Sequence, residues 1–237
     1  MIAVINYGAG NLYSISKALE GLGASVRITD SPSILKSASA VVLPGVGAFD
    51  GAMAILRKTG LVDAIKRSAE GGKPFLGICL GMQLLFSGSE EGKSKGLCIF
   101  KGTARQFSPK LKVPHMGWNV VTQSKQSPLW KGLPARSCWM YFAHSFYPVP
   151  ADKEVIAATT DYGVKFASVV REGNVLGTQF HPEKSGIYGL LFLKNFLELI
   201  STPAARFRAN AGVSLPAQRK HETFGTKARK NNHCNLF

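Results

Sequence analysis

Pro74-Phe-Leu-Gly-Ile-Cys79-Leu-Gly-Met-Gln83 is the stretch on which the fold of this 237-residue chain turns. Pro74–Ile78 is a short apolar run of the kind that forms a buried strand, and Leu80–Phe86 continues it with the spacing of a helix. Between them lies Gly77-x-Cys79-x-Gly81, an elbow that presents a nucleophile on a sharp strand-to-helix turn. Such a turn leaves no room for a β-carbon two residues to either side of the nucleophile, which is why glycines occupy those places. The helix start directs free N–H groups and the positive end of its dipole at the thiol. That favours the thiolate and brings the Leu80 N–H to a developing oxyanion. Two glycines can also pack around an inert buried cysteine, but the strand–helix junction favours the nucleophile. Cys98, Cys138 and Cys234 lack these surroundings and are read as inert.

Outward from the elbow, short β-branched runs alternate with helical stretches. Ile2–Ile5, Ser25–Ile28 and Ala40–Leu43 read as strands, with helices over Leu12–Leu22, Gly51–Leu56 and Leu61–Glu70. This alternation predicts an α/β fold with a mostly parallel sheet flanked by helices. The strands look apolar throughout, as strands covered on both faces do. The second half is richer in strands: Gly102–Phe107, Asn119–Thr122, Trp139–Ala143, Val155–Thr160, Ala167–Arg171 and Val175–Phe180, closed by a helix over Gly186–Ile200. After Ile200 the apolar periodicity stops. Residues 201–237 are small, polar and basic, and read as a disordered or loosely attached tail on a domain spanning residues 1–200.

The formal charge of +15 invites a nucleic-acid reading, but seven basic residues of the tail face a single acid, Glu222. Six of the excess charges therefore lie in the tail, the body is only mildly basic, and no recognition motif accompanies the charge. The chain has no apolar run long enough to span a membrane, and its first residues lack the basic start of a signal peptide. Its four scattered cysteines suit a reducing cytoplasm and have no metal-ligand spacing, and no metal or organic cofactor is indicated.

A cysteine nucleophile needs a base, and the base needs a third group to fix its tautomer. Gly177-Thr-Gln-Phe-His181-Pro182-Glu183 offers both at the carboxyl end of a strand, the edge where parallel α/β sheets place their sites. Residues two apart in an extended chain point the same way, so Glu183 can stay beside the His181 imidazole. On its own this segment reads as a surface turn; beside the elbow it completes a candidate triad of Cys79, His181 and Glu183. His115 and His144 read as packed or hydrogen-bonded structural residues, and His221 and His233 as uninvolved.

Leu43-Pro-Gly-Val46-Gly47-Ala-Phe49 follows a strand, and its glycines let peptide planes approach a ligand or reorient. It is either a second oxyanion donor or an ordinary tight connection. Asn6-Tyr-Gly-Ala-Gly-Asn11 is not a dinucleotide fingerprint, because Tyr13 stands where the third glycine belongs. It reads as a tight β-to-α loop. Gln83, on the first turn after the elbow, contacts substrate or caps the helix.

Together, Gly77–Gln83 and His181-Pro-Glu183 resemble the class I (triad) glutamine amidotransferases. Pro44–Phe49, Pro114-His-Met-Gly-Trp-Asn119, Tyr141-Phe-Ala-His-Ser145 and Gly177–Ser185 are similar, within that family, to the glutaminase subunits of imidazole glycerol phosphate synthases. The resemblance runs from Met1 to about Ile200. It implies a flavodoxin-like sheet with additional antiparallel strands in the second half. It further implies that Cys79 attacks the glutamine carboxamide while His181 shuttles the proton and Glu183 orients the ring. The Leu80 N–H and a reoriented Val46 peptide would hold the oxyanion, and Gly47, Gln83, Ser145 and Phe146 would line the glutamine pocket. Ammonia would pass to a (β/α)₈-barrel cyclase subunit in a heterodimer that serves histidine biosynthesis, and Val46 would be the hinge that gates activity. Phe146 departs from the tyrosine common in the family, and the tail has no counterpart there. Three competing readings remain open on these residues: an amidotransferase serving another synthase such as an amidino-sugar one, a silent regulatory module, and a general amidase or cysteine peptidase.

Overall fold

The structure, a computed structural model, describes residues 1–200; the expected tail lies outside the described residues. Five strands run parallel in the order β2 (Val26–Thr29), β1 (Ile2–Ile5), β3 (Ala40–Gly45), β4 (Phe75–Cys79) and β12 (Val175–Thr178). The sheet continues antiparallel through β11 (Lys165–Glu172), β10 (Ile156–Asp161), β7 (His115–Gln123) and β8 (Ser137–His144), giving nine strands. A small second sheet joins β5 (Gly88–Ser89), β6 (Gly102–Gln106) and β9 (Phe146–Pro150). The expected α/β architecture, with a parallel half and added antiparallel strands, is the one observed.

Successive residues of β1 enter opposite cores: Ile2 and Val4 pack on one face of the sheet, Ala3 and Ile5 on the other. The first core is closed by α1 (Leu12–Gly21) and α6 (Gly186–Ile200), whose Ile15, Leu19, Phe192 and Phe196 are buried there. The second is closed by α3 (Phe49–Lys58) and α4 (Leu61–Glu70), through Phe49, Met53, Leu56 and Ile65. Burial on both sides explains why β1, β3 and β4 read as continuous apolar runs. Helix α1 begins where the Asn11 side chain accepts the Ser14 N–H, satisfying one of the orphan donors of the first turn.

Several expectations are corrected. β2 is an edge strand whose Arg27 and Ile28 are exposed, so it is not covered on both faces. A short helix α2 (Pro32–Ser37) and the strand β9 were not expected. β7 starts four residues earlier than predicted, at His115, and the helix after the elbow, α5, stops at Leu84 rather than Phe86.

The parallel half brings four loops together. β1, β3, β4 and β12 all end at one edge of the sheet, where the register pairs Gly45 with Cys79 and Thr178 with Ile78. Tyr7, Gly45–Gly47, Cys79 and the segment Gln179–Glu183 therefore emerge side by side.

Candidate active site

Cys79 closes β4 and opens α5 with φ 55° and ψ −112°, a backbone conformation costing on the order of 1–3 kcal/mol for a residue with a side chain. The elbow's glycines hold it there. A β-carbon on Gly77 would come within 2.8 Å of the Gly81 carbonyl oxygen, and one on Gly81 would overlap the Leu43 carbonyl oxygen. Helix α5 spans only Leu80–Leu84, too short for a long macrodipole, and the Cys79 side chain makes no capping hydrogen bond to its first turn. The Cys79 residue is 5% exposed; its sulfur donates to the Ala143 carbonyl at 3.7 Å and accepts the Gln179 amide at 3.6 Å.

His181 and Glu183 meet the cysteine from the end of β12. The imidazole Nδ1 lies 2.9 Å from Glu183 Oε1, and the two side chains are 4% and 3% exposed. The pair forms by a different route from the expected one. His181 caps a 3₁₀ turn over Pro182–Lys184, so it is this turn, not an extended chain, that swings the carboxylate under the ring. The backbone is clamped to β8: the His181 N–H donates to the Tyr141 carbonyl, and Ser185 Oγ donates to the His181 carbonyl while accepting the Tyr141 N–H. Burial by itself would lower the His181 pKa. Hydrogen bonding and charge from Cys79 and Glu183 outweigh it and raise the value to about 10, so the imidazolium is favoured next to the sulfur.

The family model for class-I glutamine amidotransferases matches residues 3–199. The chain belongs to that family. It is 50% identical over 212 residues to a Moorella thermoacetica protein named imidazole glycerol phosphate synthase subunit HisH, covering 89% of this chain and 98% of that one. A Thermosynechococcus vestitus protein of the same name is 50% identical over 203 residues, covering 84% and 97%. Among solved structures, PurLQS from Thermotoga maritima matches with a TM-score of 0.68 at 22% identity, covering 84% of this chain and 98% of that one. A chain described as glutamine amidotransferase matches at 0.66 and 21%, covering 85% and 100%. These two share the fold.

The other expected residues of this family member fall around the same edge. Val46 is 44% exposed, and Gly47 has φ 95° with open space where a β-carbon would be. Gly45, its neighbour, is enclosed: a β-carbon there would meet the Tyr7 hydroxyl, the Gly81 nitrogen and the Leu80 side chain. Leu80 is buried as the first residue of α5. Gln83 is buried, and its amide nitrogen donates to the Phe146 carbonyl at 2.9 Å and to Gln179 Oε1 at 3.1 Å. Ser145 joins β8 to β9, and its carbonyl accepts the Phe107 N–H.

Two residues near the sulfur were missed. Gln179 is fully buried, and a glutamine inside the apolar run Val175–Phe180 was the available signal. Tyr7 is 2% exposed and its hydroxyl has no hydrogen-bond partner; burial, and then the Cys79 charge, push its pKa up. His115 and His144 form a buried hydrogen-bonded pair, 2.9 Å apart, both held neutral by burial with pKa values of about 4 and about 3.

Proposed function

We propose that this chain is the glutamine-hydrolysing subunit of an imidazole glycerol phosphate synthase. The observation that carries the reading is the buried Cys79–His181–Glu183 constellation on a strained elbow, in a chain 50% identical to proteins named as subunits of that synthase. The Cys79 thiolate attacks the glutamine carboxamide carbon. His181, protonated beside the sulfur, gives its proton to the departing ammonia. Glu183 holds Nδ1–H and stabilises the imidazolium, so Nε2 faces the reacting atoms. Water then adds to the γ-glutamyl thioester, with His181 as base, and glutamate leaves with the thiolate restored.

The oxyanion is held by the Leu80 N–H and a reoriented Val46 peptide; the pairing of Gly45, its neighbour on β3, with Cys79 supports this. Gln83, with its nitrogen committed to Phe146 and Gln179, meets glutamine through its carbonyl oxygen, with Ser145 and Phe146 at the pocket wall. Ammonia passes to a barrel cyclase. A docking face for it is supported by exposed apolar side chains: Met116 and Trp118 are 64% and 53% exposed on β7, and Ile187 is 76% exposed next to Gly186, where an added β-carbon would come 3.8 Å from the Trp118 ring. Residues 1–200 form the amidotransferase domain in this reading. Among the described residues, no helix is long and apolar enough to cross a membrane.

The test is glutamate release by the purified chain, alone and with a barrel cyclase subunit and its ribulosyl ligand. The reading predicts strong stimulation by the pair, abolished in Cys79→Ala. Robust turnover by the isolated chain, unchanged by the cyclase, would contradict it.

A further inference from the structure

One backbone carbonyl sets the polarity of a buried side-chain relay that ends on the Cys79 sulfur. Phe146 O lies 2.7 Å from His144 Nδ1 and 2.9 Å from Gln83 Nε2. A carbonyl can only accept, so His144 carries its proton on Nδ1, and the neutral ring leaves Nε2 bare. Nε2 then accepts from His115 Nδ1 at 2.9 Å, and His115 Nε2 accepts from the Asn119 amide at 3.2 Å. The same logic runs the other way. Gln83 must turn its nitrogen towards Phe146, so the Gln179 atom 3.1 Å from that nitrogen is an oxygen. The NH₂ of Gln179 is left facing the Cys79 sulfur at 3.6 Å. Its orientation is fixed by a chain of obligatory donors and acceptors in which no member can flip alone.

Building on the glutaminase reading above, we propose that Gln179 is a further catalytic residue, whose amide N–H donates to the Cys79 sulfur and stabilises it as the attacking thiolate. The surroundings show why such a donor matters. The Ala143 carbonyl also faces the sulfur, at 3.7 Å, and favours the neutral thiol by accepting its proton. Tyr7 interacts with the Cys79 charge from the loop after β1, and His181, with Glu183 behind it, reaches the sulfur from the turn after β12. The Tyr7 hydroxyl makes no hydrogen bond, so the donor work falls to His181 and Gln179. A fully buried amide presenting N–H to a developing thiolate acts in a medium where such a bond is stronger than in water. Gln83 and the Phe146 carbonyl are positioning groups, acting through Gln179.

The experiment measures the rate of Cys79 alkylation by iodoacetamide against pH in the full chain, with Cys79→Ala subtracting the other cysteines. This readout needs no glutamine turnover, so it tests Gln179 even if the glutaminase reading fails, and glutamate release by the wild-type chain tests that reading separately. Gln179→Met removes the donor; Gln179→Glu keeps the shape and still accepts from Gln83, but turns an oxygen towards the sulfur. The proposal expects neutral-pH alkylation to fall by about tenfold in Gln179→Met, with the profile moved to higher pH by about one unit. Gln179→Glu should fall further, and in both kcat should drop while KM holds. Profiles superimposable on wild type in either variant would overturn the proposal. So would equal losses in both that track a lowered melting temperature.

Discussion

Glu183→Gln removes one negative charge from a site where shape is otherwise unchanged. Its Oε1 stands 2.9 Å from His181 Nδ1, both side chains are almost wholly buried, and Oε2 has no hydrogen-bond partner. The amide can still accept from Nδ1 but no longer offers a charge. The loss is that of a buried charge-assisted hydrogen bond, about 1.5–3 kcal/mol, or roughly ten- to hundredfold in kcat. Glutamine binding does not use this group, so KM should hold. The pH dependence has a definite sign. The His181 pKa stands above its ordinary 6.5, so the stability it contributes is fully present below pH 6.5 and is lost as pH rises towards about 10. Without the carboxylate the folded-state pKa drops, so the melting temperature of the variant should trail wild type most on the acid side and converge with it near pH 10. Steady-state glutamate release with the cyclase and its ligand, together with melting curves across pH, checks both parts. A kcat within about threefold of wild type, with coincident melting curves at every pH, would refute the reasoning.

Other substitutions separate the elbow from the loop beside it. Gly81→Ala drives a β-carbon into the Leu43 backbone and should destabilise the fold by about 3 kcal/mol or more, read as a lower urea midpoint. Gly47→Ala meets no atom but must adopt φ 95°, at a cost of about 1 kcal/mol. It should leave the fold intact while changing the stimulation by the cyclase ligand, and unchanged stimulation would count against Val46 as a hinge. Gly45→Ala is the poorer test, since it displaces Tyr7 and Leu80. His115 and His144 are held neutral, so their contribution is present above pH 6.5 and is lost as pH falls towards about 4 and about 3. Urea stability should therefore decline below pH 6.5 by up to about 2.7 kcal/mol per pH unit, with a shallower slope in His115→Gln.

The parallel half of the sheet was legible because its strands, the edge strand β2 apart, are buried on two faces and its helices have one apolar stripe. The elbow was legible for a stronger reason, since glycine at 77 and 81 is a steric demand that the structure places against Gly81 and Leu43. The antiparallel half resisted. β7 runs from His115, but its burial alternates irregularly and its first residues include exposed Met116, so no period of two announces it. β9 carries Pro148 and Pro150, which lower strand propensity, and it pairs only with the small sheet. The His181–Glu183 contact was expected from an extended chain and arises from a 3₁₀ turn begun by Pro182, a tertiary detail set by the clamp to Tyr141 and Ser185. Gln179 was visible as a polar residue in an apolar run, but its partner Gln83 lies 96 residues away, and only the fold brings them together.

The central claim is that Cys79 forms a covalent γ-glutamyl thioester, and rapid acid quench followed by peptide mass mapping tests it most directly. Glutamine should be mixed with the chain, the cyclase and its ligand, and quenched during turnover. The account predicts a glutamyl adduct on the peptide carrying Cys79, accumulating in His181→Asn if thioester hydrolysis is slowed more than attack, and absent in Cys79→Ala. Steady glutamate release by the wild-type chain with no adduct at Cys79 at any quench time, and with Cys79→Ala still active, would contradict it.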